Sequence, residues 1–172
     1  MKKIVLLLLL ILLLLSGCAT MSDIVDKKPA EKIPQKSDTV RFIKKADVKE
    51  LFDKIFKKLS KKGWVITSKN IIDNFASIAT EGKKIEYDTL LKLKIIIEKK
   101  NDHFCSVDLN GEWKAGSRST NMASFWTGVK VTHDFSRVVW ENKAHKTDVA
   151  FIKMVDIAKS FKPQDIKYII SE

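Results

Sequence analysis

Chemistry in this chain would have to start from few residues. The 172-residue sequence holds two cysteines, Cys18 and Cys105, and three histidines. His103 and Cys105 stand two apart in a segment of alternating polarity, so on a strand their side chains point the same way. Imidazole and thiolate both bind zinc, but a site needs at least a third ligand, which His133 or His145 would have to bring from another strand or loop. The competing reading has Cys105 as a small core residue and His103 as a wet residue at a turn, since free cysteine is among the most buried side chains. No metal site and no cofactor is therefore expected. The chain contains no Gly-rich phosphate loop, no nucleophile elbow and no metalloprotease helix motif. It carries no catalytic signature, and an enzyme is the least expected class. A second candidate is a recognition loop, where Arg118, Asn121, Phe125 and Trp126 combine polar donors with large aromatics, a mixture enriched at binding surfaces. Phe125 and Trp126 could equally open the next strand and pack inward.

Cys18 belongs to a different pattern. Lys2 and Lys3 precede an unbroken apolar run from Ile4 to Leu15, closed by Leu15-Ser16-Gly17-Cys18. As a helix this run would rise about 18 Å, short of the roughly 30 Å hydrocarbon core of a bilayer, but its length suits a signal-peptide h-region. The Leu-Ser-Gly-Cys ending resembles the lipobox of bacterial lipoprotein precursors. That resemblance implies export, lipidation of the Cys18 thiol (palmitate and related acyl chains), cleavage before Cys18 and acylation of the new amino terminus. In a Gram-negative cell, Ala19 after the cysteine, in place of the aspartate that signals inner-membrane retention, further implies transfer to the outer membrane, facing the periplasm.

The formal net charge is +11, and losing Lys2 and Lys3 with the leader leaves +9. Basic excess prompts a nucleic-acid reading. Export removes the chain from cytoplasmic nucleic acid, and only Arg41, Arg118 and Arg137 carry the guanidinium that reads phosphates and base edges, so no nucleic acid is expected. The lysines then either solvate the surface or attract anionic lipid head groups and envelope polymers. With Cys18 acylated, Cys105 has no partner for an intramolecular disulfide, so the core alone must hold the fold.

The elements follow from periodicity. Residues 18–39 lack aromatics and any sustained period and contain Pro29 and Pro34. They read as a lipidated, flexible tether after the signal peptide at 1–17, and a single domain is expected over 40–172. Val40–Ile43 is a short strand. Asp47 then caps a helix, with Glu50 completing a capping box, and Val48, Leu51, Phe52, Ile55, Phe56 and Leu59 form its apolar stripe. Gly63 stops it. From Trp64 the period becomes two: Trp64–Ser68, Phe75–Thr80, then a hairpin of Leu91–Glu98 and Cys105–Trp113. Phe125 to Phe135 suggests a further strand, which Val138–Trp140 could extend. A second helix follows, capped by Thr147 or Asp148 and ended by Pro163, and Ile166–Ile170 is an apolar tail.

This order predicts an α+β fold: an antiparallel sheet of about four to five strands with two helices packed on one face. The order is loosely similar to helix-grip domains of some outer-membrane assembly lipoproteins, a likeness without a motif that carries no function. The expected function is a lipid-anchored binding or scaffolding module for an envelope protein or polymer. The alternatives are a carrier of a lipid or other small apolar ligand between sheet and helix, and a tethered hydrolase.

Overall fold

Alternation of apolar and polar residues builds a sheet with one dry and one wet face, and the long strands of this chain obey it closely. The computed structural model describes residues 32–116, 134–143 and 145–171, which belong to one compact unit spanning 31–172. In chain order the elements are β1 (Thr39–Lys45), α1 (Val48–Lys61), β2 (Ile66–Ile72), β3 (Phe75–Thr80), β4 (Lys83–Ile85), a single 3-10 turn (Glu86–Asp88), β5 (Thr89–Lys99), β6 (Phe104–Ala115), β7 (Ser136–Arg137), α2 (Lys146–Lys159) and β8 (Asp165–Ile169). All strand pairs are antiparallel. Neighbours run β2-β3-β5-β6-β1-β8, while β4 pairs with β5 and β7 with β6.

The expected sheet of four to five strands in helix-grip order is thus overturned: the described residues form an eight-stranded antiparallel sheet with two helices. Three strands escaped the periodicity argument for physical reasons. β4 and β7 are three and two residues long, held by backbone pairing to long neighbours, so neither needs an apolar period of its own. The tail after Pro163 is β8, a strand whose ladder is supplied by β1 at the other end of the chain. A strand therefore follows α2, which removes the helix-grip order.

Register lines up the dry face. Ile78, Ile95, Leu109, Val40 and Tyr168 are successive cross-strand partners from β3 to β8, and the first four are 0–1% exposed. Both helices lie over this face. Asp47 caps α1, its carboxylate accepting the Glu50 amide at 2.7 Å, while the Glu50 side chain pairs forward with Lys54 instead of closing the box. Val48, Leu51, Phe52, Ile55 and Leu59 are buried, and Gly63 ends the helix at φ +74°, a conformation that a Cβ disfavours.

α2 starts earlier than the expected cap. His145 takes the N-cap position, and the two residues expected there organise the approach instead. Asp148, 1% exposed, accepts from the amides of Glu141, Asn142 and Lys143 at 2.7, 3.2 and 2.8 Å. Thr147 Oγ1 accepts the Val139 amide at 2.9 Å and donates to the Val139 carbonyl at 2.8 Å. Val138 and Trp140 are buried next to β7, while the further strand expected from Phe125 lies, up to residue 133, outside the described residues.

Residues 33–39, which composition assigns to the tether, pack into the folded unit. Ile33, Ser37 and Asp38 are buried. The Lys36 amide donates to the Trp140 carbonyl at 2.8 Å and the Trp140 amide donates to Ser37 at 2.7 Å. Among the described residues no helix is long and apolar enough to cross a membrane.

Candidate functional site

With both helices on the dry face, the opposite face of the sheet is left without a helix among the described residues. On β5, Lys92, Lys94, Ile96 and Glu98 alternate with the buried Leu91, Leu93, Ile95 and Ile97, so pleating alone sends the lysines outward. Cross-strand register then assembles their neighbours. Lys94 lies opposite Asn110 and Lys92 opposite Glu112 on β6. Ala79 of β3 flanks Lys94, Ser68 of β2 lies beyond Ala79, and Arg137 of β7 pairs with Glu112. Small side chains on β2 and β3 beside long ones on β5 leave a groove of about 690 Å³. Its lining includes Ser68, Ser77, Lys92, Lys94, Asn110 and Arg137, with Glu112 as the one carboxylate.

Two of these residues are held from behind. Thr39 Oγ1 lies 2.6 Å from Asn110 Oδ1 and 2.8 Å from Asp38 Oδ1. Asp38 is 3% exposed and pairs with Arg137 Nη2 at 2.7 Å, while the Ser171 amide and hydroxyl donate to it at 3.1 and 2.9 Å. The carboxylate is buried while the Arg137 side chain stays about half exposed, so the charge-assisted contact directs the guanidinium from behind. Further along the same face, Arg41 Nε and Nη2 each lie 2.6 Å from a carboxylate oxygen of Asp108, a bidentate contact that raises the arginine pKa further.

The lysines of the groove differ from these arginines. Among the described residues neither Lys92 nor Lys94 has a carboxylate partner, whereas Lys54, Lys84, Lys99, Lys100 and Lys167 each have one. Lys94 is exposed. Lys92 is half-buried, its Nζ 3.9 Å from the centre of the Phe135 ring, which Lys114 approaches to 4.7 Å. Phe135 sits against Gly82, where an added Cβ would come within 2.7 Å of the ring. Here the absence of a side chain lets an aromatic wall form beside a second hollow of about 410 Å³ that shares Lys92 and Thr80 with the groove.

The metal candidates from the sequence separate. His103 lies in the bend before β6, its amide donating to Asn101 Oδ1 at 3.0 Å. Cys105 is 0% exposed on the dry face with Sγ 3.2 Å from the Ala46 carbonyl. Burial, and then the Asp47 carboxylate, push its thiol pKa up, the opposite of what a nucleophile or metal ligand needs. His145 Nδ1 instead meets Glu141 Oε2 at 2.9 Å, and no group of three or more His, Cys, Asp or Glu could hold a metal among the described residues. Cys18, the metal candidate His133 and the recognition-loop residues Arg118, Asn121, Phe125 and Trp126 lie outside the described residues.

The sequence showed Lys92 and Lys94 only as the wet half of an alternating strand. Ser77, Asn110 and Arg137 had no signal of their own, because only pairing brings them to one place. No protein-family model matches the chain, and no curated protein matches it either.

Proposed function

We propose that this is a lipid-anchored cell-envelope protein whose open sheet face is a binding surface for an envelope protein or polymer. The observation that carries the anchor is the leader: two lysines, the apolar run Ile4–Leu15 and the Leu15-Ser16-Gly17-Cys18 ending. The reading places the mature chain on the membrane through acylated Cys18, with Ala19 directing it to the outer membrane. The folded unit supports binding over carriage of an apolar ligand. At Gly111 the layer between sheet and α2 has no room for a methyl group, since an added Cβ would lie 2.8 Å from Met154 Sδ and 2.9 Å from Val138. The hollow of about 690 Å³ lies on the other face, where hydroxyls, an amide, three cations and the Glu112 carboxylate stand among apolar surface.

A photo-crosslinking residue at Ser77, on the open face, is expected to capture an envelope component in intact cells. The same residue at Lys57, exposed on α1, is expected to capture little. Equal capture from both positions, or none from Ser77, would defeat the assignment of the surface.

A further inference from the structure

We propose that the groove across β3, β5 and β6 binds an acidic glycan, a polysaccharide chain bearing carboxylate or phosphate groups. The inference rests on reading the open sheet face as the binding surface and names what that surface takes. Charge sets the sign of the ligand: the lining carries three basic side chains, Lys92, Lys94 and Arg137, against the single carboxylate of Glu112. Arg137 is already paired with Asp38, which leaves the two lysines of β5 as the groove's cations without a carboxylate partner among the described residues. Lys92 and Lys94 stand on one side of one strand, at i and i+2, with Cα atoms about 7 Å apart along it, and two such like charges are stabilised together by an anion lying across both.

The remaining lining decides between anions. A bilayer presents a broad surface of head groups, which would meet a protruding basic patch. Here Lys92 is half-buried and the cations flank a concave trough, a shape that admits a chain. An extended acidic peptide would add its backbone to a strand edge, whereas β3, β5 and β6 are inner strands of the sheet. This trough offers the hydroxyls of Ser68 and Ser77 and the amide of Asn110 beside apolar surface such as Ala79, a mixture suited to a polyhydroxylated ligand whose rings also carry C–H faces. The polar atoms behind Asn110, through Thr39 and Asp38, hold that amide in place before a ligand arrives, which lowers the ordering cost of binding.

The test is titration of the mature chain with a short oligogalacturonate, with neutral dextran, poly-glutamate and phosphatidylglycerol vesicles as comparisons. Binding to the oligogalacturonate that weakens with added salt is expected, with little to dextran. Lys92→Glu together with Lys94→Glu should weaken it about tenfold or more, the scale on which reversing two nearby charges acts. Lys49→Glu together with Lys57→Glu, on the exposed side of α1, changes net charge equally and should leave it within about twofold. Thermal unfolding checks that the double variant is folded, and Lys94→Ala, at an exposed site, serves if it is not. Equal weakening in both charge-reversal pairs would reduce the effect to net charge and overturn the proposal. So would binding of dextran as tight as oligogalacturonate, or vesicle or poly-glutamate binding through Lys92 and Lys94 without glycan binding. Capture of an envelope protein from Ser77 in cells, with no glycan binding in vitro, would sink this inference while leaving the binding-surface reading standing.

Discussion

Cys105 shows what a single side chain can and cannot do here. Its thiol is buried on the dry face and held protonated by its surroundings. In the unfolded chain the thiol ionises at about pH 8.5, whereas in the folded chain it ionises at higher pH. The group's contribution to stability is therefore fully present below the unfolded pKa and is lost as pH rises from there through the folded pKa. Unfolding in urea at a series of pH values should show wild type losing stability above about pH 8.5 faster than Cys105→Ala does. Parallel curves would mean that burial does not hold the thiol neutral. Gly111 makes a second point at this scale. A glycine within a twelve-residue strand is costly, and it is accommodated because Met154, Val138 and Leu91 close over it.

Among the elements, α1 is the one whose sequence and packing agree most fully. Five stripe positions are buried as the period requires, but the sixth is not: Phe56 is only partly buried, packed against the core and stacked on Phe52 at 6.2 Å between ring centres. Lys69 of β2 sits over the Phe56 ring at 5.0 Å, so the ring bridges core and solvent. Phe52→Ala should cost about 3–5 kcal/mol and Phe56→Ala clearly less, because part of that ring is already in water. Chemical denaturation of the two variants decides it, and an equal loss at both positions would contradict the burial difference. β8 teaches the reverse lesson. Its residues alternate weakly and only partly bury, yet it completes the sheet because β1 offers an edge and Phe151 packs on Tyr168 at 6.1 Å between ring centres.

At the scale of the whole molecule, the proposed lipid anchor would tie the location of this basic domain to what it can bind. The anchor reading has its own test. Palmitate labelling should be lost in Cys18→Ala, and the labelled wild type should sediment with the outer membrane on a density gradient. Retained labelling in the variant, or recovery mainly with the inner membrane while Ala19 is intact, would refute it. On the anchor reading, packing of Ile33, Ser37 and Asp38 into the folded unit leaves a shorter stretch of chain to serve as tether than composition assigns.

Sequence alone determined what depends on near neighbours in the chain: the boundaries of α1, the left-handed stop at Gly63, the β5–β6 hairpin and which of its side chains face inward. These follow from periods of 3.6 and 2 and from local capping, which need no distant partner. Only the tertiary structure decided what depends on residues far apart. β8 is a strand because β1 lies beside it, more than a hundred residues earlier. Asp38, which composition counts as tether, is buried because Arg137 and Ser171 converge on it. The groove exists for the same reason: Ser77, Lys94, Asn110 and Arg137 come from four strands, and no spacing in the chain records that cross-strand register will set them side by side.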